Sequence, residues 1–211
     1  MRQELVVIVH GYYKNSQDMS DLCRWLEDWE YTTFAPRLPT TFGTLEDCHR
    51  AFAKRYYAFN TSSFAKIHFV GHSFGGLIIR SFLSRDAIPT LGRCVLIGTP
   101  NHGAELVNLI AHYGKPALKI LKTLASIPTP DMELPPILPE NETEIGIIAG
   151  NNNHLWTGPL IHQESDGRVE VESTKLESMK DFIILPYVHN RIHHEWETAQ
   201  RVHQFLQLGH F

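Results

Sequence analysis

The sequence predicts a right-handed, doubly wound α/β fold: a mostly parallel central sheet of about six strands with helices on both faces. Three observations carry this. Short, continuously apolar runs such as Leu5-Val6-Val7-Ile8-Val9 recur along the chain, and a strand covered on both faces has no need of polar alternation. Between these runs lie stretches whose apolar residues fall three and four apart, the pattern of an amphipathic helix. Strand and helix signals alternate along the chain, which favours parallel strands joined by helical crossovers.

The first strand, Leu5 to Val9, ends at His10-Gly11-Tyr12. From Asp18 to Trp29, the positions of Met19, Leu22, Trp25, Leu26 and Trp29 mark a helix, with Ser16 as its N-cap. Tyr31 to Ala35 is a short β-prone run that Pro36 stops. Thr44, followed by Asp47 at capping-box spacing, opens a second helix with Leu45, Cys48, Phe52, Tyr56 and Phe59 on one face. Ile67 to Val70 is the third strand, and the helix after it, Phe74 to about Arg85, is apolar on most sides and so belongs in the interior. Cys94 to Ile97, Ile145 to Ala149 and Phe182 to Leu185 supply the remaining strands, and Trp196, Ala199, Val202, Phe205 and Leu206 mark a terminal helix. Neither an internal repeat nor a low-complexity linker divides the chain, so residues 1–211 read as one domain without a large cap. The rhythm breaks between residues 106 and 144, where a helical pattern at Leu118 to Leu124 is followed by Pro128, Pro130, Pro135, Pro136 and Pro139. This segment reads as a lid or pocket-wall insertion, or as an ordinary helix covering the sheet.

Composition narrows the function classes. The chain is 43% hydrophobic and 20% charged, with a net charge of -4 and no Lys/Arg run, so it carries no electrostatic footprint for nucleic acid. No apolar stretch approaches the length of a membrane span, and Leu5 to Val9 is too short for a secretory core, so a soluble, cytoplasmic protein is expected. Three cysteines, Cys23, Cys48 and Cys94, lie in apolar surroundings. They read as buried free thiols in a reducing compartment, with one disulfide and a spare thiol as the alternative. Histidines number 13, yet no H-E-x-x-H pair occurs, and adjacent His193 and His194 diverge on a helix, so no metal site is expected. The turn His10-Gly11-Tyr12-Tyr13-Lys14 lacks the glycine fingerprint of a dinucleotide site, and no cofactor is implied.

The third strand runs into Gly71-His72-Ser73-Phe74-Gly75-Gly76, which puts a serine at a strand-to-helix junction with glycine two residues to either side. That is the G-x-S-x-G elbow pattern, in which small neighbours let strand and helix approach closely around a strained serine. A glycine-rich turn with an incidental serine gives the same pentapeptide. The wider sequence resembles the α/β-hydrolase superfamily, especially its small lipase-like esterases. The matching pieces are Val9-His10-Gly11-Tyr12, the elbow, Gly98-Thr99-Pro100-Asn101-His102-Gly103, and Ser165-Asp166-Gly167-Arg168-Val169, with His189 after the last strand. They follow the family's order of Ser, then acid, then His.

The resemblance implies a serine esterase that acts on a small-molecule ester or acyl substrate, with Ser73 as nucleophile, His189 as base and Asp166 as acid. Four histidines lie near the last strand, and His189 stands closest behind it, ahead of His193, His194 and His203. Asp166-Gly167 is also a hairpin turn signal, and Asp131 and Asp181 are the competing acids. Backbone N-H groups of Tyr12 and Phe74 would form the oxyanion hole. His10 and His72 are expected beneath the site, His102 and His154 along it, and the 106–144 segment over the acyl pocket. A thioesterase or acyltransferase would use the same triad, and a silent binding module would have no need of it.

Overall fold

The computed structural model describes residues 4–107, 122–127, 136–137 and 142–211. In it, six strands align in the order β2-β1-β3-β4-β5-β6. They are β1 (Glu4–Val9), β2 (Thr32–Phe34), β3 (Lys66–His72), β4 (Leu91–Ile97), β5 (Ile145–Gly150) and β6 (Met179–Leu185), and every neighbouring pair is parallel. The longer helices are α1 (Ser20–Asp28), α2 (Leu45–Ala58), α3 (Phe74–Leu83) and α4 (Trp196–Leu208).

Side chains of a strand alternate between its two faces, and here both faces are covered. Leu5, Val7, Val9, Phe69, Leu96 and Ile147 pack with Phe52 of α2 and Leu77, Ile78 and Phe82 of α3. Val6, Ile8, Val70, Val95, Ile97 and Ile148 pack with Leu22 and Leu26 of α1 and Ala199, Val202 and Phe205 of α4. Two opposed apolar layers explain why β1 reads as an unbroken hydrophobic run and β3 as one interrupted only by His68 between Ile67 and Val70. All ten residues of α3 are buried, in keeping with its apolar periphery.

Local signals set the helix starts. Thr44 Oγ1 accepts the Asp47 N-H at 3.1 Å and Asp47 Oδ2 accepts the Thr44 N-H at 3.0 Å, a complete capping box ahead of α2. The cap expected at Ser16 falls one residue earlier. Asn15 Oδ1 accepts the Gln17 N-H at 2.8 Å and opens a 3-10 turn, Ser16–Met19, that precedes α1. An Asx side chain reaches the N-H two residues on, so Asn15 takes the role that its neighbour was expected to fill.

The β3–α3 junction is tight. A Cβ on Gly75 would sit 2.2 Å from the Val9 carbonyl oxygen, and one on Gly76 would sit 2.1 Å from Thr99 Oγ1. The first obstacle is main chain of the central strand β1, which cannot swing aside. Gly75→Ala is therefore expected to destabilise the fold by about 3 kcal/mol or more, at the upper end of overpacking effects. A urea midpoint within error of wild type would contradict this packing.

Among the described residues, no helix is long and apolar enough to cross a membrane. No connection between strands is long enough to carry a large cap, the longest running from Gly98 to Glu144. Most of the 106–144 segment, including the pattern at Leu118 to Leu124 and Asp131, lies outside the described residues.

Candidate active site

The carboxyl ends of β3, β4, β5 and β6 converge at one edge of the sheet. Ser73 follows β3 with φ 54° and ψ -126°, a positive-φ conformation rare for a residue with a side chain. Its backbone is held from both sides. The Ser73 N-H donates to the Ile97 carbonyl at 2.8 Å, and the Ser73 carbonyl accepts the Gly76 N-H at 3.0 Å.

The structure brings Ser73, His189 and Asp166 into one hydrogen-bonded chain. Ser73 Oγ lies 2.9 Å from His189 Nε2, and His189 Nδ1 lies 2.6 Å from Asp166 Oδ2. His189 and Asp166 are buried, 4% and 1% exposed, while Ser73 is 9% exposed at the cavity wall. Asp166 Oδ1 accepts the N-H groups of Arg168 and Val169 at 3.0 and 2.9 Å, so both carboxylate oxygens are occupied by donors. The Asp166 N-H returns to the Val169 carbonyl, and Ser165 pairs with Glu170 in an antiparallel bridge. The Asp-Gly turn signal and the acid position thus coincide, because the turn's own N-H groups anchor the carboxylate. The Asp166 carbonyl also accepts the His189 N-H at 2.9 Å, tying the two loops together. Gly98 at the end of β4 has φ 53°, and a Cβ there would come within 3.2 Å of Asp166 Oδ2 and 3.4 Å of His189 Nδ1. A glycine at this point leaves room for the contact between acid and base.

Two chain segments flank Ser73. Phe74 is the first residue of α3, so its N-H has no intrahelical acceptor and lies at the positive end of the helix dipole. The loop after β1 touches the serine: a Cβ on Gly11 would lie 3.1 Å from Ser73 Cβ. His10, fully buried, fixes that loop. Its Nδ1-H donates to the Gly11 carbonyl at 3.1 Å, and its Nε2 accepts the Leu38 N-H at 3.1 Å. The Gly11 carbonyl and the Tyr12 N-H belong to one planar peptide, so His10 orients both. Burial holds the His10 pKa below its ordinary value, which keeps the acceptor nitrogen free of a proton.

The remaining histidines and acids occupy other posts. His72 Nε2 donates to the His189 main-chain carbonyl at 3.0 Å, and its ring stacks on His193 at 3.8 Å. His193 in turn donates from Nε2 to Asp18 Oδ2 at 2.8 Å, away from Ser73. His194 also approaches Asp18, so Asp18, His193 and His194 do cluster, contrary to the divergence expected of adjacent residues on a helix. They lie on a 3-10 turn, Ile192–His194, that Asp18 straddles. Lys14 Nζ, 2.8 Å from Asp18 Oδ1, already supplies a cation to that carboxylate. His203 stacks on Trp29. Asp181 accepts the N-H groups of Phe182 and Phe211, at the start of β6. His102 lines a separate cleft and His154 is exposed; neither lines the cavity at Ser73.

The stacked imidazoles make stability depend on pH. Burial holds the His193 pKa down, from 6.5 to about 4, against the pull of Asp18 in the other direction. His194 and His189 add to the depression, and burial pushes the adjoining His72 down as well. The unfolded chain therefore binds more protons between pH 6.5 and 4, and acidification through that window favours unfolding. His193 alone is expected to remove about 2 kcal/mol by pH 5. Denaturant midpoints at pH 7 and pH 5 measure this, and equal midpoints would refute it.

Ser73 and His189 open onto a cavity of about 680 Å³. Leu106, Val107, Ile127, Leu160 and Val169 contribute to an apolar wall, with Lys14 and Arg168 also on the lining. Leu106, Val107 and Ile127 are described residues of the 106–144 segment, so that part of it does reach the cavity. Trp156, 84% exposed, stands on the lining too. Sequence reasoning passed over Lys14, Gly98 and Arg168 as site-forming residues. Of these, Gly98 and Arg168 did stand inside the matched pieces.

The chain belongs to the alpha/beta hydrolase family, whose model matches residues 6–204. No curated protein matches the sequence. Among solved structures, the mature form of lipase BlEst2 from Bacillus licheniformis superposes with a TM-score of 0.79 at 20% identity, over 98% of this chain and 92% of that one. Phospholipase PlaB from Legionella pneumophila, in complex with thio-NAD, gives 0.71 at 16% identity, over 98% of this chain and 59% of that one. A thermophilic esterase from Thermogutta terrifontis, with malate bound, gives 0.63 at 15% identity, over 96% and 89%. These likenesses establish a shared fold.

Proposed function

We infer that the protein is a serine hydrolase that cleaves carboxylic esters through an acyl-enzyme on Ser73. The observation that carries this reading is the relay of 2.9 and 2.6 Å from Ser73 Oγ through His189 to Asp166, opening on an apolar cavity. Ser73 Oγ attacks the ester carbonyl while its proton passes to His189 Nε2. Asp166 holds the imidazole with Nδ1 protonated and stabilises the imidazolium without taking the proton. The tetrahedral oxyanion is met by the N-H groups of Phe74 and Tyr12, each such donor being worth about 2.7 to 4 kcal/mol. Collapse breaks the bond to the alcohol, which leaves with the proton from Nε2. Water then attacks the acyl-enzyme, gives its proton to His189, and the acid departs as Ser73 Oγ regains it.

The acyl chain lies along the wall that Leu106, Val107 and Ile127 help to form, which makes the 106–144 segment part of the acyl pocket within a single domain. Free Cys23, Cys48 and Cys94 support a reducing, cytoplasmic setting. A fluorophosphonate probe tests the reading, since it forms a bond to Ser73 Oγ only where the base activates that oxygen. Mass-mapped labelling of Ser73 together with turnover of p-nitrophenyl esters is expected. Absence of both from the folded protein would overturn the assignment.

A further inference from the structure

We propose that Arg168 selects esters whose alcohol half carries an anionic group, so that the preferred substrate joins an apolar acyl chain to a phosphate- or carboxylate-bearing alcohol; this rests on the ester-hydrolase reading. The cavity at Ser73 has two cations on its lining, Lys14 and Arg168, and no Asp or Glu among the described lining residues. The whole chain has the opposite balance, 23 acidic residues against 19 Lys and Arg. The cavity lining is therefore positive against a net negative chain.

The two cations are not equivalent. Lys14 is neutralised by Asp18 at 2.8 Å. The Arg168 guanidinium has no carboxylate partner among the described residues, although a carboxylate is close in sequence. Asp166 Oδ1 takes the backbone N-H of Arg168, at 3.0 Å, and Oδ2 takes His189, so the acid's lone pairs are directed to those donors. The tight turn from Ser165 to Glu170 mounts Arg168 two residues from the acid and fixes where its side chain starts. Arg168 is half-buried on a largely apolar lining without a carboxylate partner among the described residues, and a planar, permanently charged fork is suited to a phosphate or carboxylate oxygen pair. The apolar side chains of Leu106, Val107 and Ile127 take the acyl half, which leaves the alcohol half for Arg168.

The test compares kcat/KM for decanoyl glycerol phosphate with that for decanoyl glycerol, and for O-decanoylglycolate with its amide, all below their aggregation concentrations. Wild type is expected to favour the anionic member of a pair by about tenfold, which is ~1.4 kcal/mol. The ratio should fall towards one in Arg168→Gln, mainly through KM, stay intermediate in Arg168→Lys, and shrink as salt is raised. The phosphate and carboxylate pairs identify which anion is read, and a preference in either supports the proposal. Turnover without preference in either pair, or the same ratio in wild type and Arg168→Gln, overturns it while leaving the hydrolase reading intact. No turnover of any ester and no fluorophosphonate labelling of Ser73 overturns both.

Discussion

Ser73→Ala is expected to lower kcat on p-nitrophenyl esters by about 10⁶-fold and to abolish fluorophosphonate labelling, with little change in stability. The oxygen that would form the acyl bond is gone, and no other hydroxyl is recorded within hydrogen-bond distance of His189 Nε2 among the described residues. The fold should tolerate the change because what holds the elbow is main chain. The bonds to Ile97 and Gly76 survive, and alanine meets the same positive-φ strain as serine. A variant that keeps its melting temperature and loses less than about a hundredfold in turnover would remove Ser73 from the reaction.

Asp166→Asn should reduce kcat by about 10⁴-fold, again with the fold retained. Oδ1 of the new side chain can keep both N-H bonds from Arg168 and Val169, so the turn stays closed. That leaves the amide NH2 facing His189 Nδ1. A donor there favours the imidazole tautomer with its proton on Nε2, which is the nitrogen that must be bare to take the proton from Ser73. The loss therefore comes from a reversed tautomer and from an imidazolium left without its counter-charge. More than a tenth of wild-type turnover in Asp166→Asn, or the large loss appearing instead in Asp131→Asn, would reassign the acid.

The sheet was legible because the central parts of β1, β3, β4 and β5 are buried on both faces and are mostly apolar. Edge position blurred the ends of others: β6 starts at Met179, with Lys180 and Asp181 inside the strand, where the apolar run alone begins at Phe182. Ser73 could be singled out because the elbow's close approach leaves room only for glycine around it, and packing of that kind writes itself into sequence. Asp166 was harder to read. One carboxylate serves the turn through Oδ1 and meets His189 through Oδ2, so Asp-Gly carries both signals. The cavity wall was legible only in outline, as the 106–144 segment, since Gly11, Leu106, Ile127, Trp156 and Arg168 meet only once the strands have set their loops side by side. His193 and His194 defied a helical assumption, because the chain there makes a 3-10 turn and Asp18 comes to it from the other end of the sequence.

The strand order has a consequence for a chain made from its N-terminus. β3, β4, β5 and β6 stack outward in the order of their synthesis, each docking on the one before. A domain of this size folds as a unit, so its side chains meet only when all of its strands are present. Ser73 is held by the Ile97 carbonyl of β4, while Asp166 follows β5 and His189 follows β6. A nascent chain not yet extended past β6 lacks His189, the partner of Ser73 Oγ. On the proposed reading, the last strand in the sequence brings the base, and the Ser73 hydroxyl gains its reactivity only in the complete sheet.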